Sequence, residues 1–285
     1  MSDAVTLSGL FIYPVKSTRG IAQVSARLTP FGLEWDRQWM IVDERGVFLS
    51  QRAHPQLARV VPRIEADALV LAAPELTELR VPLHVDAEAI EVRVWDDHMS
   101  AIPQGAHADE WLSWAVGQPV RLVRVAGMDR HANPKFAGAV PAPIGFPDGY
   151  PFLICNRASL EELNTHLPAP IPMERFRPNL VLEGLSPWAE DRISTLTFEG
   201  LVLKLVKPCV RCTIPSLDHE TGARSTDPTP ALKRFRFSRQ LRGVTFGENA
   251  VIAEASGTEL RRGSSVTITW RAEESSSGTT ALTHT

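Results

Sequence analysis

Apolar residues in the first part of the chain fall in short runs, each about the length of a strand and each closed by turn residues. Val5–Tyr13, Gln38–Val42, Val47–Ser50, Leu69–Ala72, Leu79–Leu83 and Ile90–Trp95 are such runs, with Pro30-Phe31-Gly32 and Glu44-Arg45-Gly46 among the breaks. Many short strands punctuated by Gly and Pro predict a barrel or sandwich. One stretch has helical spacing instead, Ala108–Val116, with Trp111, Leu112 and Ala115 on one face.

The pattern changes near residue 127. Asn133–Gly149 is rich in Pro and Gly and too long for a plain connection, so it marks a domain boundary or a flap over a site. Beyond it, Pro151–Cys155, Asn179–Glu183, Ser194–Glu199, Leu201–Val206, Val251–Ala255 and Val266–Trp270 read as strands. Ser159-Leu160-Glu161-Glu162 has the capping-box spacing and predicts a helix from Ser159 to about His166. Pro228–Phe237 predicts another, with Thr229 as its cap. The sequence thus divides into residues 1–126, residues 127–272 and a Ser/Thr-rich tail, 273–285, expected to be disordered.

Composition narrows the class. A length of 285 residues accommodates two domains, and 44% hydrophobic with 22% charged residues is ordinary for a globular protein. A formal charge of −3 supplies no global attraction to nucleic acid or anionic membrane, so neither is expected as a partner. The odd count of 3 cysteines argues against a disulfide framework. With neither an apolar leader nor a run of about 20 apolar residues, the chain is expected in the cytoplasm.

The densest chemistry lies in Lys207-Pro208-Cys209-Val210-Arg211-Cys212-Thr213-Ile214-Pro215, read as a strand end running into an exposed loop. Flanking cations stabilise thiolate, the form that binds soft metals. A Cys-x-x-Cys alone is compatible with half a zinc site, a redox dithiol, a thiolate ligand to a metal cofactor, or two ordinary cysteines. Lys16-Ser17, after an apolar run, presents an ammonium and a hydroxyl suited to an anionic oxygen, or simply a surface lysine beside a turn. Arg37 and Arg177 offer donor forks for oxyanions, or an ion pair with Asp36 or Glu34 and packing over Trp188. Pro178 is expected to hold Arg177 extended. Arg52, Asp148 and His219 are further candidates, His219 being expected in a solvated loop.

The string Pro-Cys-x-Arg-Cys-x-x-Pro-x-x-Asp-x-x-Thr-Gly, beginning at Pro208, resembles the cysteine segment of MOSC-domain proteins. Leu10–Ser17 resembles the opening of the β-barrel domain that precedes MOSC, and Pro151–Ile154 and Phe176–Asn179 match in the expected order. The resemblance, closest to YcbX-like proteins and amidoxime-reducing components, implies a mainly β (α+β) fold. It comprises an N-terminal β-barrel and a MOSC β-barrel with a few short helices. It further implies a molybdenum cofactor ligated by Cys212 and surrounded by Lys16, Ser17, Arg37, Arg177, Asn179, Val210, Arg211 and Asn249. The amidoxime-reducing relatives have tyrosine where Asn249 stands. In this pattern Val210 and Arg211 supply backbone donors and a guanidinium, and Cys209 packs nearby. The implied activity is molybdenum-dependent reduction of N-hydroxylated compounds, with electrons from a separate ferredoxin- or flavoprotein-type donor. The rival reading is a sulfur or molybdenum-cofactor carrier using Cys212 as its persulfide or thiolate site; a zinc or thiol-redox module is a third.

Overall fold

The computed structural model describes residues 4–138, 142–257 and 259–272, so the predicted disordered tail lies outside the described residues. The first part supplies β1 (Thr6–Ile12), β2 (Ile21–Ala22), β3 (Ser25–Thr29), β4 (Gly32–Leu33) and β5 (Trp39–Val42). After a 3-10 turn at Pro55–Arg59 come β6 (Val61–Ile64), β7 (Ala68–Ala72), β8 (Leu79–Pro82), β9 (Ile90–Val94) and β10 (Asp97–Pro103). Helix α1 (Ala106–Val116), β11 (Arg121–Val125) and the single turn α2 (Pro134–Ala137) follow. The remainder contains β12 (Phe152–Asn156), α3 (Arg157–Thr165), β13 (Leu180–Glu183), β14 (Ile193–Phe198) and β15 (Leu201–Val210). It closes with α4 (Thr229–Phe235), β16 (Phe237–Ser238), β17 (Gly243–Ala255), β18 (Glu259–Arg261) and β19 (Thr267–Trp270). Strands dominate and the helices are short, as the punctuated apolar pattern predicts.

The largest sheet runs β19-β14-β15-β17-β12-β13-β1-β2. One core cluster joins residues from strands all along this path, including Leu7, Leu10, Phe152, Ile154, Leu180, Leu196, Leu203 and Ala250. A sheet whose distant strands share one core is curved around it, the half-barrel arrangement. Hydrogen bonding crosses the 126/127 division: β1 pairs antiparallel with β13, so the first strand completes the second half's sheet.

The first part has its own layers. Strands β5-β11-β10-β9 form one sheet and β6-β7-β8 another. On β5, Trp39 and Ile41 join the core shared with α1, while Met40 and Val42 join the core beneath Phe146. This period-2 alternation buries both faces of β5 and fixes its register. The loops at either end of β5 and β1 are thereby held by rigid strands.

Four local expectations are corrected. Val47–Ser50 is not a strand; it touches its neighbours through single bridges at Val47 and Phe48. Helix α3 is capped three residues earlier than predicted, not by Ser159 but by the Asn156 side chain accepting from the Ala158 N–H at 3.2 Å. The Ser159 hydroxyl instead donates to buried Glu190 at 2.8 Å. Thr229 does not cap α4; Pro228 holds that position, without a side-chain cap bond. Strand β15 extends through Cys209 to Val210, because register shifts let it keep pairing with β17 past Pro208. On β17, Gly247 sits at φ +75°, and a Cβ there would lie 2.7 Å from the Ile154 carbonyl oxygen and 2.8 Å from the Cys155 sulfur. Only glycine accepts both demands.

Candidate functional site

Tyr13, at the end of β1, is the hub of the site. Its ring is buried, its hydroxyl donates to the Pro178 carbonyl at 3.0 Å, and its N–H donates to Asp36 at 2.8 Å. Burial raises the phenol well above its ordinary value, so it stays neutral. The guanidiniums of Arg37 and Arg177 each lie 4.3 Å from the ring centroid. Two guanidiniums stacked on one ring repel each other. Burial, and then Arg37, bring Arg177 down to about 10, which still leaves it charged at neutral pH.

Arg37 donates to Asp36 at 2.6 Å, to the Asn179 side-chain oxygen at 3.0 Å and to the Arg177 carbonyl at 3.2 Å. Arg37 thus pairs with Asp36 and also lines the cleft. Asn179 is a clasp between strands. Its side-chain oxygen also accepts from the Leu153 N–H at 3.1 Å, and its amide donates to the Phe11 carbonyl at 3.3 Å. Arg177 is not extended as the proline rule predicts; it sits at φ 58°, ψ 47°, its guanidinium donating to the Thr18 carbonyl at 2.5 Å. Nor does it pack over Trp188, where Arg236 lies instead at 4.7 Å. Ser17 at φ 68° and Arg37 at φ 48° share the left-handed conformation. Three strained non-glycine residues facing one cleft is a pattern found at functional sites.

Lys16 is buried and donates to Phe146 O at 2.8 Å and to Asp148 at 2.5 Å. Burial pulls its ammonium below the ordinary lysine range, against the attraction of Asp148. The loop carrying both partners is held by Arg130, whose side chain reaches Asp97 at 2.6 Å and the carbonyls of Pro147 at 2.5 Å and Asp148 at 3.0 Å. Sequence reading missed Arg130, since no local pattern signals an arginine wrapped by a loop 15 to 18 residues away.

The cysteine segment forms the opposite wall. Cys209 and Cys212 are free thiols, half-buried. Arg211 donates to the Cys209 sulfur at 3.0 Å and to the Phe176 carbonyl at 2.8 Å, while its Nε is buried without a partner. Burial works against its charge, but the three surrounding cysteine sulfurs outweigh that and raise the guanidinium. Its backbone N–H, expected to face a ligand, is spent on the Val244 carbonyl at 2.9 Å. Asn249 lies on the same wall and donates to the Lys207 carbonyl at 3.2 Å.

These walls enclose one cleft of about 130 Å³, lined by Lys16, Ser17, Arg37, Arg177, Asn179, Val210, Arg211, Cys212 and Asn249 together with Asp148 and Cys209. Arg52 lies outside it, stacked on Trp95, which in turn donates to Asp148 at 3.2 Å. His219 is not solvated. Burial, then Arg177, Arg19 and Arg175, lower its imidazole to about 4, and its Nε2 is buried without a partner. Among the described residues no group of three or more His, Cys, Asp or Glu could ligate a metal. A metal here must bring most of its ligands with it. The donor set suits an anionic cofactor that does so: two half-buried thiols, Cys209 and Cys212, and four cations line the cleft.

The profile of the MOSC N-terminal beta barrel domain matches residues 4–119, and that of the MOSC domain matches residues 141–270. The chain is 31% identical over 242 residues to mitochondrial amidoxime-reducing component 1 of Homo sapiens, covering 81% of this chain and 72% of that one. The Mus musculus protein of the same name is 28% identical over 263 residues, covering 87% and 76%. Molybdenum cofactor sulfurase of Danio rerio is 31% identical over 273 residues; the match takes in 86% of this chain but 32% of that protein. The expectation of a cytoplasmic protein is withdrawn, because the amidoxime-reducing relatives are mitochondrial by name. Among the described residues no helix is long and apolar enough to cross a membrane. With both domains matched in order along a related chain of similar length, this protein belongs to the MOSC family and carries the N-terminal β-barrel and MOSC domains together.

Proposed function

We propose that the cleft binds a molybdenum cofactor through Cys212 and reduces N-hydroxylated compounds such as hydroxylamines, N-hydroxylated bases and amidoximes. The observation that carries this reading is the convergence of two free thiols, Cys209 and Cys212, with Lys16, Arg37, Arg177 and Arg211 on a single cleft lined by both halves of the chain. The family relatives named for amidoxime reduction support the reaction class.

Reduction of an N-hydroxyl group takes two electrons and two protons and releases water. The bound cofactor supplies the two-electron step. Everything else falls to the chain. Cys212 provides the thiolate ligand, and a soft sulfur donor suits molybdenum. Lys16, Ser17, Arg37, Arg177 and Arg211 would hold the anionic cofactor, mainly through charge-assisted bonds. Asn179 aims Arg37, and Arg130 sets the loop that orients Lys16. Electrons come from a separate donor protein.

Protein purified from a host that makes molybdenum cofactor is expected to contain near-stoichiometric molybdenum and fluorescent oxidised pterin, with molybdenum lost in Cys212→Ser. It is expected to turn over an N-hydroxylated substrate with a chemical reductant. Cofactor present without any turnover points to the carrier reading, which the sulfurase relative favours. Absence of both molybdenum and pterin overturns the cofactor assignment.

A further inference from the structure

Residues 224–242 carry six basic side chains and one acidic one in a chain whose overall charge is −3. Arg236 is committed to Asp191, at 2.5 and 2.8 Å. The other five, Arg224, Lys233, Arg234, Arg239 and Arg242, are exposed, and none has a carboxylate partner among the described residues. Phe235 and Phe237, in the same segment, are 42% and 49% exposed. Phe235 also packs on His166 and Trp188, with centroids 5.1 and 5.5 Å apart, whereas the five cations repel one another and contribute little to the fold.

The position of this face gives it a use. The turn between β16 and β17 carries Arg239 and Arg242, and Phe237 pairs with Val244. On the other side of β17, Val210 pairs with Thr245, and the Arg211 N–H bonds the Val244 carbonyl. Gly243 is packed so closely on Val210 that a Cβ there would lie 2.6 Å from its methyl. Val210 is itself 40% exposed and lines the cleft, two residues from Cys212. The basic turn therefore enters β17 beside Val210 at the rim of the cleft, with β16 itself two strand spacings, ~9.6 Å, from the cysteine segment.

We infer that the β16–β17 turn and the exposed face of α4 form the docking surface for an acidic electron-carrier protein. This rests on the reductase reading above. Opposite charge steers encounter and sets orientation, and exposed Phe237 supplies an apolar centre for such an interface. A carrier seated there delivers electrons from the Val210 side of the cleft and leaves the Lys16 side open to substrate.

The test uses two acidic carriers as probes, a [2Fe–2S] ferredoxin and a flavodoxin, with the wild type and Lys233→Glu/Arg239→Glu/Arg242→Glu. Binding is measured by calorimetry at low and moderate salt. Turnover is measured with each carrier and with a reduced viologen. At least one carrier is expected to bind the wild type, more weakly as salt rises and at least tenfold more weakly to the triple variant. Viologen-driven turnover is expected to be unchanged, and Arg239→Lys/Arg242→Lys to behave as wild type. Equal binding to wild type and triple variant overturns the inference. So does binding of neither carrier at low salt, or capture of the wild type by phosphatidylglycerol vesicles alone. A triple variant that loses viologen turnover along with carrier turnover shows a structural face, and overturns it too. Absence of viologen turnover in the wild type sinks the reductase reading instead, and the calorimetry still decides the docking surface.

Discussion

Arg37 and Arg177, stacked on one buried tyrosine, are a local conflict that an anion resolves. Arg177→Gln keeps a donor for the Thr18 carbonyl and removes one of the two charges. Without cofactor the variant is expected to melt at or above the wild-type temperature, while cofactor retention falls at least tenfold, the usual exchange of function for stability at a strained site. Parallel calorimetry and pterin assay would show it, and a large loss of apo stability with full retention would refute it. Glu248 is a second single-residue case. Burial raises its carboxyl from 4.5 to about 8, although Arg271, half-exposed and 3.2 Å away, works in the opposite direction. A carboxyl raised on folding contributes stability that is present below its unfolded value and lost as pH climbs through the folded one. Wild-type stability is therefore expected to fall between about pH 5 and 8, and Glu248→Gln to flatten that fall. Urea melts across the range would reveal identical slopes if Glu248 were ionised throughout. His219 has the opposite sign, since its imidazole is lowered from 6.5 to about 4. Its share of stability is kept above pH 6.5 and lost on acidification.

At the scale of elements, the long strand β17 does two jobs. It pairs with β15 on one side and β12 on the other, and Gly247 lets it pass against Cys155. Gly247→Ala is expected to cost about 2–4 kcal/mol in chemical denaturation, since neither backbone nor space admits a methyl. Asn156→Ala is expected to cost about 1–3 kcal/mol, because it removes a helix cap and a donor to buried Glu190 together. These same elements show what could be read in advance. Strands such as Trp39–Val42 and Leu180–Glu183 were legible because their apolar runs are dense and bounded. The cap of α3 was not: Ser159 has the right local spacing, but a buried glutamate 31 residues away claims its hydroxyl. Val47–Ser50 has strand composition without a neighbour to pair along its length. Most of the pocket residues were legible through short motifs, because they sit beside strand ends; Asn249, in the middle of β17, does not. The left-handed turn at Arg177 was not, since a tertiary clasp on Thr18 and Tyr13 overrides the pre-proline preference.

For the whole molecule, the cleft belongs to neither half alone. Lys16, Ser17 and Arg37 hang from strands of the first part, and Arg177, Arg211 and Cys212 from strands of the second. What fixes their spacing is β1, which leaves the first part to hydrogen-bond along β13 and to place Leu7 and Leu10 in the second part's core. That one strand has a hereditary consequence. A gene segment encoding the MOSC half by itself leaves out β1, and so specifies a sheet with β13 as its bare edge and without Leu7 and Leu10 in its core.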